Sequence, residues 1–281
     1  MSRLFWLFCL ISVATSVMAL ELEGPRRQGA LLSGQVEPGS EVRLNGDPVA
    51  ITGSGRFALG FGRKASLKHE LVVVAPDGER TTRTIELAER EYDVQRVDGV
   101  PQETVTPDED ALERIRAEAR RVREARKTRS RRTDFTGPWV WPVAGPVTGV
   151  YGSQRFYNGE PRQPHYGIDI MAETGTPVAA PAGGRVVLVA PDLYFSGGTL
   201  ILDHGYGVSS TFLHLSEIHV SQGDEVAQGD ILGEVGASGR ATGPHLDWRM
   251  NWRQQRVDPM TVAPPLVDGA TTRPGMGNSN Q

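Results

Sequence analysis

Between residues 197 and 215 the chain reads GGTLILDHGYGVSSTFLHL, two β-prone runs that meet at a Gly-Tyr-Gly turn. β-Branched and large apolar side chains suit a pleated, half-buried surface, and glycine supplies the backbone freedom that a tight reversal needs. The stretch therefore predicts a pair of antiparallel strands. The same pattern continues on both sides of it, in WPVAGPVTGVYG (141–152), GTPVAAPAGGRVVLVAP (175–191) and GDEVAQGDILGEVG (223–236). No helix of ordinary length is expected after Phe135, and residues 135–267 read as one β-rich domain.

Upstream, residues 20–100 carry shorter alternating stretches, EVRLNGDPVAI, GRFALGF and HELVVVAP. They are separated by Asn45-Gly46-Asp47, Gly53-Ser54-Gly55 and Asp77-Gly78. These are strands joined by turns, so a small β-sandwich is expected, with no catalytic spacing in it and a role as spacer or binding module. Residues 101–134 change character. EDALERIRAEARRVREARKTRSRR is helix-like, with apolar residues at Leu112, Ile115, Ala119 and Val122, and from Ala111 to Arg132 it holds ten basic residues against three acidic ones. A charged helical linker between two domains is predicted, its basic face either solvated or resting on anionic envelope polymers. Residues 268–281 are expected to be a disordered tail.

The chain opens on MSR and a short apolar core, LFWLFCLISVATSV, and Val17-Met18-Ala19 follows as a small-residue cleavage pattern. Residues 1–19 thus read as a secretory signal peptide, with an apolar run shorter than the ~20 residues of a membrane span. Cleavage after Ala19 would remove Cys9, the only cysteine, so no disulfide is expected in an oxidising compartment. The expected location is periplasmic or secreted, with no stable membrane span after cleavage. At 281 residues, 38% hydrophobic and 23% charged, the composition is that of an ordinary globular protein. A formal net charge of -4 argues against a nucleic-acid partner.

Five of the six histidines fall in the second half, three of them in informative company. PHYGIDI carries His165 and Asp169, TFLHLSEI carries His214, and PHLDW carries His245 and Asp247. Metal ligands must converge to within roughly 3 to 4 Å of each other, since each bond is ~2.0 to 2.2 Å long. Four residues of straight strand span ~13 Å, so His165 and Asp169 can share an ion only if the chain bends, and Pro164 and Gly167 offer the place. His245 and Asp247 have the strand period of two and project from one face. A lone His214 among Phe212, Leu213 and Leu215 would more often be a hydrogen-bonded core residue, as is expected for His204 and His219. Three segments that each bring imidazole or carboxylate to an apolar setting are harder to explain without chemistry, because unpaired buried polar groups cost several kcal/mol.

Those residues resemble the lysostaphin-type, or LytM-like, zinc metallopeptidases, which cut peptide cross-links of bacterial cell walls. The resemblance runs from about Trp139 to Trp252, and GIDI, GTPVAAPAGGRV, LDHGYG, HLS, GDEVAQGD, LGEVGASG and TGPHL carry it besides the histidines. It implies that His165, Asp169 and Asp247 bind one zinc ion, and that His214 and His245 handle the attacking water and the developing oxyanion. It also implies peptidoglycan as substrate. The family's usual third ligand is histidine, and Asp247 stands in its place; a second carboxylate would neutralise the ion's charge and weaken it as a Lewis acid. Arg162, three residues before His165, is a candidate oxyanion helper or a plain surface arginine. A degenerate relative that binds the wall or activates another hydrolase is the alternative. A biotinyl or lipoyl carrier, suggested by the V-x-x-G-D hairpins, lacks its attachment lysine, since none follows Lys127.

Overall fold

A computed structural model describes residues 20–98, 108–268 and 271–272. The expected signal segment and Cys9 lie outside these residues. The chain is mostly β, as the turn-punctuated sequence predicts.

Nine strands form one antiparallel sheet in the second half. Its order is Glu225–Val226, Gly184–Leu193, Gly197–Gly205, Val208–Leu215, His245–Trp252, Ile168–Met171, Gly145–Gly149 and Thr271–Thr272, with Gln255–Val257 also paired to His245–Trp252. Every residue of Gly197–Gly205 and Val208–Leu215 is buried, which is why that stretch reads as nearly continuous apolar sequence. Its polar members need partners, and they have them. The His204 Nδ1–H donates to the Gly183 carbonyl at 2.6 Å, while its Nε2 accepts from Ser210 Oγ at 2.8 Å. His204 is thus a satisfied core histidine. Pro177–Ala179, Ile231–Glu234 and Glu217–Ile218 make a smaller sheet beside the large one.

The N-terminal module is a β-sandwich of two antiparallel sheets, Glu21–Glu23, Leu31–Gln35 and Arg56–Gly60 against Asp47–Val49, Glu41–Leu44, Lys68–Val74 and Arg80–Glu86. Asn45 and Gly46 close its Glu41–Val49 hairpin with φ of 51° and 86°, the two positive values that a type I′ turn requires. The module packs directly on the large sheet. Leu32, Phe57 and Phe61 share one core with Trp252 and Val257. Buried Asp258 accepts from Arg90 Nη1 at 2.7 Å, and its N–H donates to the Gly29 carbonyl at 2.7 Å.

The basic run forms helix α1, Glu109–Ala125, capped by Asp108, whose Oδ1 accepts from the Ala111 N–H at 2.8 Å. Among the described residues no helix is long and apolar enough to cross a membrane. Helix α1 lies along the large sheet: Val122 and Ala125 pack on Leu188, Ala190, Leu193 and Ile201. Arg114 Nη2 clasps the Asp192 carbonyl at 2.7 Å, Arg121 Nη2 donates to the Val189 carbonyl at 2.8 Å, and the Glu118 carboxylate accepts from the Tyr194 N–H. Of the expected tail, Thr271–Thr272 pairs with Gly145–Gly149, and Thr272 Oγ1 donates to the Val143 carbonyl.

Candidate metal centre

Sheet register brings the carboxylates together. Ile168–Met171 and His245–Trp252 pair so that Asp169 faces Asp247 directly and Met171 faces His245. Like charges in that position repel and destabilise a sheet unless something cationic lies between or beside them. Both aspartates are buried, Asp247 at 1% exposure. Two glycines make room for them. A Cβ at Gly149 would meet Asp169 Oδ2, and one at Gly167 would meet Asp247 Oδ1.

His165 reaches the same point from the coil that precedes Ile168, the bend expected at Pro164 and Gly167. Its Nε2 lies 3.1 Å from Asp169 Oδ1 and its Nδ1 lies 4.0 Å from Asp247 Oδ2. One ligand atom each from His165, Asp169 and Asp247 fall within 4.8 Å of one another. Among the described residues neither ring nitrogen of His165 has a hydrogen-bond partner, and Asp169 Oδ1 has none either, although all three atoms are buried. Such orphaned groups are costly, and a cation bonded to them would remove the cost. The donor set of one imidazole and two carboxylates suits zinc, and also harder divalent ions.

His214 and His245 stand beside this trio, with ring centroids 4.8 Å apart. Each is held by its Nδ1–H, His214 by the Ser238 carbonyl at 2.7 Å and His245 by the Gly243 carbonyl at 2.8 Å. Both therefore present Nε2 as the free nitrogen. His245 Nε2 is 3.8 Å from Asp169 Oδ1. Burial is the main effect on His214; it pushes the imidazole below the usual histidine range and keeps it neutral at pH 7. The His214 backbone has φ of 66°, a left-handed conformation that is uncommon outside glycine and often marks a functional position.

Two arginines complete the electrostatics. Arg249 forks onto Asp247, with Nη2 at 2.6 Å from Oδ2 and Nε at 3.0 and 3.1 Å from the two oxygens. Burial alone would raise the Asp247 carboxyl, but the Arg249 charge and then His165 outweigh it and hold the acid below the ordinary carboxylate range. Arg155 Nη2 bonds Asp169 Oδ2 at 2.7 Å. Burial and the neighbouring Asp247 would raise Asp169, but His165, 3.1 Å away, and the Arg155 charge outweigh them and hold it low as well. Arg249 changes the charge argument made from sequence. Aspartate in place of histidine removes one positive unit relative to the usual ligand set, and Arg249 puts one back beside it. The strand period that aligned His245 with Asp247 also aligns residue 249, so the signal for Arg249 was present; nothing in the sequence marks Arg155.

Imidazoles, carboxylates and arginines open onto a cavity of about 550 Å³ between the sheet and α1, lined among others by Leu112, Ile115 and Ala119 of the helix. Arg162 lines this cavity as well rather than lying on the open surface. A second trio, Glu217, His219 and Glu234, sits near the surface, where His219 Nε2 is 3.5 to 3.6 Å from the two glutamates.

The chain is similar to known proteins. Residues 163–259 match the sequence model of Peptidase family M23. An uncharacterized metalloprotease of Haemophilus influenzae is 37% identical over 110 residues, 39% of this chain and 23% of the relative. The DD-carboxypeptidase/endopeptidase Mpg of Neisseria meningitidis is 39% identical over 104 residues, 37% of this chain and 24% of that protein. The chain thus spans about a quarter of the length of these relatives. A crystal structure of a Pseudomonas aeruginosa protein assigned to peptidase M23 aligns with a TM-score of 0.62 at 28% identity, covering 84% of this chain and 94% of that one.

Proposed function

We propose that the chain is a zinc-dependent endopeptidase of the bacterial envelope that hydrolyses peptide cross-links of peptidoglycan. His165, Asp169 and Asp247 hold the ion, and His214 and His245 move protons. One observation carries the reading: two ring nitrogens of His165 and one oxygen of Asp169 are buried without partners, 3.1 Å apart at the nearest pair. Similarity to relatives named as peptidoglycan DD-endopeptidases, such as ShyB of Vibrio cholerae at 35% identity over 104 residues, supports the substrate.

Bound there, the ion would polarise both a water and the scissile carbonyl. The protein's own groups supply the rest. His214, neutral because it is buried and fixed in one tautomer by the Ser238 carbonyl, offers Nε2 as the base that takes the water's proton. His245, its ring centroid 4.8 Å from that of His214, acts on the developing oxyanion. Arg155 and Arg249 keep both carboxylates ionised and fixed in orientation.

The Arg249 fork favours one competing reading. Its bonds already occupy both oxygens of Asp247, and a chain in which they exclude the ion would be a degenerate relative that binds the wall without cutting it. Metal content after dialysis, together with mass analysis of fragments released from purified wall, tests the proposal. Stoichiometric zinc and new peptide amino termini are expected. A metal-free protein that releases nothing would overturn it.

A further inference from the structure

The cavity beside the metal cluster holds more positive charge than its acids can use. Six arginines line it against two carboxylates, Asp247, paired with Arg249, and Glu118, paired with Arg114; of the six, Arg155 pairs with Asp169. Arg126, which follows the last residue of α1, is 8% exposed; its Nη2 makes a 3.3 Å contact with Thr211 Oγ1, and its Nε is buried with no partner among the described residues. Arg256 Nη1 and Arg162 Nε are also buried without partners among the described residues. Burial, and then the neighbouring Arg256 and Arg249, pull the Arg126 guanidinium well below the arginine range, so no carboxylate compensates it. Burial and Arg249 likewise bring Arg256 down to about 10. Unpaired buried cations of this kind are destabilising, and chains keep them where a ligand supplies the anion.

The opposite wall narrows the ligand further. Leu112, Ile115 and Ala119 of α1 face the cavity, with Leu193 and Phe195 beside them. An anion recognised here carries aliphatic carbon next to its charge, as an acidic peptide does and inorganic phosphate does not. A volume near 550 Å³ lies within the range of small-ligand pockets and admits a short peptide segment. Arginine's planar fork matches a carboxylate with two parallel bonds.

We propose that Arg126 and Arg256, with Arg162 at the rim, form a carboxylate subsite that selects acidic peptides and seats them against α1 beside the metal cluster. The placement beside a scissile bond rests on the hydrolase reading; the subsite itself does not. On this view α1 is part of the binding site, and the basic run contributes at its buried end rather than along its solvated face.

The test uses the full chain as purified and two probes, acetyl-Ala-Glu-Ala with both carboxyls free and the same peptide with both amidated, titrated by calorimetry. The free acid should bind at least about tenfold more tightly than the amide, the change that one charge-assisted pair supplies. Arg126→Met and Arg256→Met, on different elements, should each remove most of that preference, and Arg126→Lys should keep part of it. Equal binding of acid and amide by the unmodified chain overturns the proposal whatever the variants do. So does a preference that survives both methionine variants. Inorganic phosphate competing as strongly as the acid peptide overturns the peptide assignment. Zinc content and wall hydrolysis are measured on the same preparation. A metal-free, inactive chain that still prefers the acid sinks the hydrolase reading alone, and an active zinc enzyme indifferent to amidation sinks the subsite alone.

Discussion

Arg249→Met separates the cost of the buried ion pair from the value of the metal. Arg249 Nη2 lies 2.6 Å from Asp247 Oδ2, and Asp247 is 1% exposed, so methionine leaves a carboxylate buried next to Asp169 with one cation fewer. Removing one partner of a buried pair costs about 3 to 5 kcal/mol. At about 2 to 4 °C per kcal/mol for a protein of this size, the chelator-treated variant should melt roughly 6 to 20 °C below the unmodified chain. Asp247 is held low in the folded state, so the stability it contributes is present above the unfolded carboxylate value of about 3.9 and is lost as pH falls through the folded one. Without Arg249 the burial effect prevails, the folded value rises, and the melting difference should shrink in acid. A divalent ion restores a cation beside both aspartates, so zinc at about 100 times its dissociation constant should return about 2.7 kcal/mol to any form that binds it. The assay is thermal unfolding of both proteins, with chelator and with excess zinc, at pH 7 and pH 5. A chelator-treated variant that melts within about 1 °C of the unmodified chain would show that the pair is not buried as described, and a variant that zinc fails to stabilise would refute the shared-cation argument.

Asp247→Ala should lose both zinc and hydrolysis, because two protein ligands remain where catalytic zinc normally has three; retained stoichiometric metal by atomic absorption would remove Asp247 from the ligand set. Asp247→His supplies the histidine that the resembled metallopeptidases carry at this position but leaves the partly exposed Arg249 without its carboxylate, so it should be less stable than Asp247→His combined with Arg249→Met, a non-additivity that thermal unfolding reads directly. His214→Ala and His245→Ala should each keep the metal while lowering wall hydrolysis by about 10²- to 10⁴-fold; loss of zinc from either would mean that a ligand had been taken for a proton carrier. Burial lowers the His204 imidazole, so its unfolded form binds more protons in acid, and stability should fall as pH drops below about 6.5. His204→Gln should flatten that slope while melting lower at pH 7, and an unchanged slope across pH 7 to 5 would assign the acid sensitivity to other groups.

Several elements could be read locally. The Asn45-Gly46 turn, the apolar 197–215 hairpin and the stripe of α1 each follow from a period of two or 3.6 residues and from turn chemistry, which neighbours in sequence set by themselves. The bend between His165 and Asp169 was legible for the same reason, since Pro164 and Gly167 sit inside it. His245 and Asp247 share a face by the strand period alone, and that period includes Arg249.

Tertiary structure decided what lies opposite what. Asp169 faces Asp247 because Ile168–Met171 pairs with His245–Trp252 in one register, and a shift of one residue would have turned both carboxylates to the other face. No local pattern encodes that register; it follows from which apolar faces the whole sheet buries. The same holds for Arg126. Along the chain it is one of ten basic residues in a run that reads as solvated. Only the docking of Val122 and Ala125 on Leu188 and Ile201 places the end of that run in the cavity, where the loss of water makes a single unpaired guanidinium consequential.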